Sequence, residues 1–190
     1  MLRVVSGRLR GRRLVAPKGQ GTRPTSDRIR EAIFNILTHG PCAQPFEGLR
    51  VLDVFAGTGA LGIEAISRGA GYAVFMETDA AARALIRENV EALGLMGETK
   101  IFRRDATNPG PVSALAPFDL CLLDPPYSKG LGERAVTALA KGGWLTEDAI
   151  VVLEEKAGVD LVCPAGFVPI EVRAWGETQV AFWRFTATPV

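Results

Sequence analysis

The stretch VLDVFAGTGALGIEA, residues 51–65, decides the fold. It begins as a short apolar run that contains one acid, Asp53, passes through a glycine-rich loop and ends in a helix-like apolar pattern. Gly57, Gly59 and Gly62 match the spacing G-x-G-x-x-G, in which glycine allows a tight turn and a close approach of a ligand to the backbone. A strand, a glycine loop and a helix in this order predict a ligand-binding unit of an α/β sheet.

Strand-like and helix-like segments alternate along the rest of the chain from residue 49. The seven strand-like runs are RVLDVF, YAVFME, KIFRRD, FDLCLLD, AIVVLE, GFVPIEVRAW and TQVAFWRF. This order predicts a Rossmann-like α/β fold, with a mostly parallel seven-stranded sheet and helices on both faces. The last two runs flank Gly176-Glu177, which predicts an antiparallel C-terminal hairpin.

The first 40 residues have a different pattern. LRVVS and RLRGRRLV are short β-like runs around Ser6-Gly7, a predicted tight turn, and a helix is predicted over residues 26–38. We therefore expect two parts, a basic hairpin and helix in residues 1–40 and an α/β domain in residues 41–190.

Composition excludes several classes of protein. The chain has 190 residues, 47% of them hydrophobic, and its sequence contains no run of the roughly 20 apolar residues that a membrane helix needs. Cys42, Cys121 and Cys163 form no CxxC pair and His39 is the only histidine, so we expect neither a metal site nor a disulfide framework. A cytoplasmic monomer is the expectation.

Positive charge is concentrated at the N-terminus. Residues 1–30 contain nine basic residues and one acid, a net charge of +8 in a chain whose total is +1. Such an arm suggests a polyanionic partner, and its candidate contacts are Arg8, Arg10, Arg12, Arg13 and Arg23. The alternative is a solvated strand edge whose charges prevent aggregation.

The ligand of the glycine loop has two interpretations. Glu77 follows Asp53 by 24 positions, the place of an acid that binds ribose hydroxyls, so a nicotinamide dinucleotide is one candidate. However, Asp53 at the end of its strand would repel a pyrophosphate and attract a cationic methionine-type ligand.

LLDPPY, residues 122–127, is the most specific stretch in the chain. Two prolines stiffen a loop that offers a carboxylate, carbonyl oxygens and a ring. The Asp124 carboxylate and the Pro125 carbonyl can accept both N–H bonds of an exocyclic amine, while Tyr127 stacks on the base. Pro126 completes the rigid turn, and Asp124 is the natural proton acceptor or relay. A base within a duplex cannot reach such a loop, so the substrate is single-stranded or flipped.

The stretch DVFAGTG, residues 53–59, resembles motif I of the class I S-adenosylmethionine-dependent methyltransferases. The stretch DPPY, residues 124–127, resembles motif IV of the amino methyltransferases. The resemblance implies that the loop cradles the methionine end of the cofactor, that Glu77 holds the ribose and that the adenine lies near Thr78 and Asp105. The implied cofactor-binding residues are Asp53, Phe55, Ala56, Gly57, Thr58, Gly59, Glu77, Thr78, Asp105 and Ala106.

The order RVVSGRLRGRRLVAP, TRPTSDRIREAIFNIL, VLDVFAGTGALGIEAISRGA and LLDPPY is similar to the RsmD family. That resemblance implies methylation of guanine N2 at position 966 of 16S rRNA, with the rRNA or a 30S assembly intermediate as partner. It also implies that the hairpin holds RNA and that Thr25, Arg28 and Arg30 line the entrance to the site. The alternatives are a DNA adenine-N6 methyltransferase and a non-catalytic RNA-binding module.

Overall fold

The computed structural model describes residues 1–17 and 27–186. Within these ranges four helices and seven strands follow one another along the chain. They are α1 (Asp27–His39), β1 (Arg50–Val54), α2 (Ala60–Ser67), β2 (Tyr72–Met76), α3 (Ala80–Ala92), β3 (Thr99–Phe102), β4 (Phe118–Leu123), α4 (Leu131–Lys141), β5 (Leu145–Lys156), β6 (Phe167–Trp175) and β7 (Thr178–Phe185).

The strands form one sheet in the order β3-β2-β1-β4-β5-β7-β6. Strands β1 to β5 run parallel to one another, whereas β7 pairs antiparallel with both β5 and β6. The predicted fold class is therefore confirmed, including the C-terminal hairpin, which turns through Gly176 and Glu177. The chain order reverses between β1 and β4, so the carboxyl ends of these two strands open onto the crevice where α/β sheets bind ligands.

Each face of the sheet is covered by its own apolar cluster. One contains Leu52, Cys121 and residues of α4, and the other contains residues of α1 and α2. Leu2, Val4, Leu9 and Leu14 belong to this second cluster, in which Phe34 and Leu37 are fully buried. The N-terminal part therefore packs directly against the sheet domain. The separation of an RNA-binding part, residues 1–40, from a catalytic part, residues 41–190, stays a prediction. None of the described helices is both long enough and apolar enough to cross a membrane.

The N-terminal hairpin differs from its prediction. Its two arms meet in a single antiparallel bridge between Arg3 and Arg13, and residues 8–11 form turns instead of a strand. The amides of Arg8 and Leu9 donate to Ser67 at the end of α2, at 2.8 and 3.0 Å. Because these two amides bond to α2, they do not form the cross-strand hydrogen bonds of a regular hairpin. The chain therefore reverses over residues 6–11 instead of in a tight turn at Ser6-Gly7. Gly7 has φ of +80° and any Cβ there would lie 1.9 Å from the Ser67 carbonyl oxygen, so only glycine fits.

Candidate active site

A cavity of about 1110 Å³ lies at the carboxyl ends of β1, β2 and β4. It brings together almost every residue that the sequence assigned to the cofactor and to the amine. Thirteen of them line it: Asp53, Phe55, Ala56, Gly57, Thr58, Glu77, Thr78, Asp105, Ala106, Asp124, Pro125, Pro126 and Tyr127. Gly59 does not line the cavity itself, but it begins the helix beneath it.

The glycine loop turns from β1 into α2 with an unusual backbone. Phe55, Gly57 and Gly59 all have positive φ, at 55°, 56° and 77°. For Phe55 this conformation is strained, and such strain is concentrated at functional sites. Gly62 is needed for packing, because a Cβ there would lie 2.5 Å from the ring of Phe75. The glycines therefore serve both the turn and the close contact between helix and sheet.

Asp53 is almost fully buried at the end of β1. Its Oδ2 accepts a hydrogen bond from the amide of Gly62 at 2.8 Å, which ties the strand to α2. Burial raises the pKa of Asp53 to about 8, although the Gly62 bond opposes this, and the negative charge of Glu77 adds to the rise. A carboxyl group in this state is stabilised in its ionised form by any cation that enters the cavity.

Glu77 follows β2 and is held by two backbone amides. Its Oε2 accepts from Gly57 at 3.0 Å and its Oε1 accepts from Asp79 at 2.9 Å. Each carboxylate oxygen has a second lone pair, so Glu77 can still accept hydrogen bonds from a pair of ribose hydroxyls. Asp79 caps α3 by accepting from the amide of Ala82 at 2.7 Å.

Asp105 lies in the turn after β3. Its Oδ1 accepts from both the amide and the hydroxyl of Thr107, each at 2.8 Å, which fixes this wall of the cavity. The neighbouring Ala106 is buried in the cluster on the α4 face.

The acceptor loop, residues 124–128, continues directly from β4. The amide of Asp124 is 3.4 Å from the carbonyl oxygen of Val54, so the loop starts beside the end of β1. Pro125 is buried, Pro126 is exposed and Tyr127 is half-buried. The Tyr127 hydroxyl donates to Glu154 on β5 at 2.5 Å, and burial followed by this bond raises the pKa of Tyr127 far above its ordinary value. Its ring is therefore anchored through a protonated hydroxyl.

The chain is similar to known proteins along nearly its whole length. The family model described as "Conserved hypothetical protein 95" (Cons_hypoth95) matches residues 2–184. This chain belongs to that family.

The names of curated relatives support this membership and the resemblance to the RsmD family that the sequence motifs indicated. "Ribosomal RNA small subunit methyltransferase D" of Escherichia coli strain K12 is 36% identical over 159 residues, which are 82% of this chain and 75% of the relative. The Haemophilus influenzae protein of the same name is 31% identical over 189 residues, which are 96% of this chain and 93% of the relative. A solved structure described as "Putative methyltransferase yhhF from Escherichia coli" superposes with a TM-score of 0.81 at 30% identity, covering 98% of this chain and 99% of the other.

In this Cons_hypoth95 member the basic arm lies against the C-terminal end of α3 and the loop that follows it. Arg8 forms an ion pair with Glu98, and the Arg12 guanidinium donates to the carbonyl oxygen of Ala92 at 3.2 Å. The side chains of Arg10, Arg13 and Arg28 are exposed and form no ion pair with any residue in the described ranges. Arg23 and Thr25, also assigned to RNA, lie outside the described residues.

The structure corrects the assignment of Arg30. Its side chain is fully buried, donates to Asp27 at 2.8 Å and lies 3.6 Å from the Glu64 carboxylate. Glu64 in turn accepts from the amides of Val5 and Ser6 at 2.8 and 2.9 Å. Arg30 therefore joins the arm to α1 and α2 and is not available to RNA; a charge count cannot separate it from its exposed neighbours.

Asn89 is a residue that the sequence analysis missed. It is buried on α3, its Oδ1 accepts from the Val15 amide at 2.6 Å, and its Nδ2 donates to the Val15 carbonyl at 3.1 Å. The same Nδ2 donates to the carbonyl of Thr58 in the glycine loop at 3.0 Å. Pro17, two residues further along the arm, lines the cavity. The arm and the glycine loop therefore share one anchor.

Proposed function

We propose that this protein transfers a methyl group from S-adenosylmethionine to the exocyclic N2 amine of a guanine in 16S rRNA, guanine 966 by family resemblance. One observation carries the proposal: the glycine loop, the acid after β2 and the acid-proline-proline-tyrosine loop line a single cavity. The names of the curated relatives add support, because those proteins are called ribosomal RNA small subunit methyltransferases.

The residues of the cavity fit the cofactor. The positive-φ backbone at Phe55 and Gly57 opens the loop to close approach, and the buried Asp53 carboxyl suits a cation. Glu77 would hold the ribose, with Thr78, Asp105 and Ala106 around the adenine. S-adenosylmethionine supplies a methyl group on a positively charged sulfur.

The acceptor loop orients the amine. An exocyclic amine is a weak nucleophile because its lone pair is delocalised into the ring. The Asp124 carboxylate and the Pro125 carbonyl accept its two N–H bonds, which favours a pyramidal nitrogen and directs the lone pair toward the cofactor side of the cavity. Asp124 then takes the amine proton, while Tyr127 stacks on the base. Positioning and electrostatics supply most of the catalysis, so no histidine is needed.

The arm supplies affinity for RNA. We propose that Arg10, Arg13 and Arg28, with Arg8 and Arg12 beside them, contact phosphates while one base is presented to the acceptor loop. We propose a monomer in which residues 1–40 form the RNA-binding part and residues 41–190 the catalytic part.

Nucleoside mapping of 16S rRNA tests this proposal. RNA from cells with and without the protein is digested and compared, and purified protein is then given naked 16S rRNA or 30S particles from the deficient cells. We expect N2-methylguanine at position 966 to be absent from the 16S rRNA of cells that lack the protein. Purified protein should restore it on either the naked 16S rRNA or the 30S particles. Methylation of DNA adenine, or RNA binding without methyl transfer, would support the alternatives instead.

A further inference from the structure

Strand β5 is longer than its neighbour β4 at the edge where the cavity lies. The two strands are in register up to Leu123 and Leu153, after which β4 ends and β5 continues to Lys156, paired with β7 alone. The acceptor loop, residues 124–128, lies beside this extension, because its Tyr127 and Ser128 bond to the extension's side chains.

The extension carries two adjacent acids, Glu154 and Glu155, and both are only 3% exposed. Consecutive residues of a strand point to opposite faces, so one packing surface cannot explain both. A buried carboxylate is unfavourable unless hydrogen bonds satisfy it. Two such groups in sequence need partners that come from outside their own strand.

The acceptor loop provides those partners. Tyr127 donates its hydroxyl to Glu154 at 2.5 Å, with the Thr178 hydroxyl of β7 at 3.3 Å from the Tyr127 oxygen. The amide of Ser128 donates to Glu155 at 2.9 Å, and the same carboxylate oxygen accepts from the Lys156 amide at 2.7 Å. One glutamate therefore holds the ring of the loop and the other holds its backbone.

The loop is also fixed where it leaves the site. Ser128 has φ of 60°, a backbone conformation that residues other than glycine rarely adopt. α4 begins three residues later, and Gly132 lets it lie against β5, because a Cβ there would be 2.4 Å from Leu153. The carboxylate of Glu155 thus supports a strained turn between two elements that are already packed.

We propose that Glu154 and Glu155 are positioning residues for methyl transfer: they hold Tyr127 and the Ser128 backbone so that Asp124 and Pro125 meet the amine in the right orientation. This inference rests on the proposed function of the acceptor loop. Neither glutamate lines the cavity, so each acts through the loop and not on the substrate. Cofactor binding, which we assign to the residues that follow β1, β2 and β3, should not depend on them.

A double-mutant cycle tests the contact with Glu154. Tyr127→Phe removes only the hydroxyl, so it keeps the stacking ring and preserves the fold. We expect it to lower kcat roughly tenfold, the rate equivalent of one hydrogen bond, with cofactor Kd and Tm nearly unchanged. Glu154→Leu should lower kcat at least as much, and Glu154→Gln should retain part of the rate. Either change at Glu154 should cost less in the Tyr127→Phe variant than in the wild type.

A parallel comparison tests Glu155. Glu155→Gln keeps an oxygen that can accept from the Ser128 amide, whereas Glu155→Leu does not. We therefore expect a kcat loss of roughly tenfold in the leucine variant and a smaller one in the glutamine variant. Glu147→Gln, an exposed acid at the other end of the same strand, is the matched control and should leave kcat unchanged.

Two results would overturn the inference. The first is a Tyr127→Phe enzyme with wild-type kcat; the second is fully additive losses for Tyr127→Phe and Glu154→Gln. A loss of cofactor affinity in step with kcat would also count against it, since that would indicate general damage to the site. If the wild-type protein transfers no methyl group to any RNA, the proposed function fails instead, and the two failures are distinguishable.

Discussion

The side-chain amide of Asn89 donates to the carbonyl oxygen of Thr58 at 3.0 Å while it also pairs with the backbone of Val15. One buried side chain thus fixes both the loop assigned to the cofactor and the arm assigned to RNA. The arm reaches this point past the C-terminal end of α3, where Arg8 pairs with Glu98 in the following loop and Arg12 donates to the carbonyl of Ala92.

We predict that Asn89→Ala weakens both kinds of binding. It leaves the Val15 amide and two carbonyl groups without their partner, which should destabilise the fold by about 1–3 kcal/mol and loosen the glycine loop. Calorimetry should show a weaker cofactor Kd and a filter assay a weaker RNA Kd. Glu88→Ala, at the neighbouring exposed position of α3, should change neither.

Asp53→Asn should stabilise the free protein and weaken cofactor binding. The folded pKa of about 8 lies above the ordinary value of 3.8, so the folded state holds a proton that the unfolded state releases. The stability gained from that proton is complete below pH 3.8 and is lost as pH rises through 8. Thermal melts from about pH 6 to 9, which bracket the folded pKa, should show a variant that loses less Tm with rising pH than the wild type. An identical pH dependence would mean that Asp53 is ionised in the free protein.

Removal of exposed arm charges should reduce the salt dependence of RNA binding. Each phosphate contact contributes about 0.7–0.9 to the slope of log K against log salt, so Arg10→Ala with Arg13→Ala should lower that slope by about 1.4–1.8. Arg173→Ala, on the distant edge strand β6, removes one positive charge away from the arm and is the control. A slope equal to that of the wild type would show that these side chains stay in solvent.

Arg30→Ala should behave differently from the exposed arginines. It removes a buried partner of Asp27 and Glu64, but Glu64 keeps the Arg68 guanidinium at 2.9 Å, so the change should destabilise the protein by about 1–3 kcal/mol. We expect a fall in Tm and, below the melting range, a salt slope close to that of the wild type. A reduced slope with an unchanged Tm would return Arg30 to the RNA-binding surface.

The sequence predicted the sheet and most of the cavity because those features follow from local patterns. Glycine spacing, the alternation of strands and helices and the proline pair each act over a few residues, and the structure brings Gly57, Glu77 and Asp124 to one cavity. The N-terminal reversal was not predictable in the same way. Its shape depends on Ser67, 58 residues away from Leu9.

The sequence did not predict the roles of Glu154, Glu155 and Asn89, because their contacts also come from residues distant in the chain. Glu154 and Glu155 resemble the polar end of an apolar strand, and only the longer reach of β5 past β4 shows that they are buried. Asn89 resembles any polar residue of a surface helix until the arm lies over it. Two adjacent acids directly after AIVVL were the one signal that could have been followed.

The most direct test of the central claim measures methyl transfer and cofactor affinity together in Asp124→Ala, with Asp160→Ala as the exposed control. If the acceptor loop grips the amine, transfer to 16S rRNA is abolished while the Kd for S-adenosylmethionine stays within about twofold of the wild type, and the control matches the wild type in both. Retained methyl transfer in Asp124→Ala, or loss of cofactor binding in step with activity, would contradict the account.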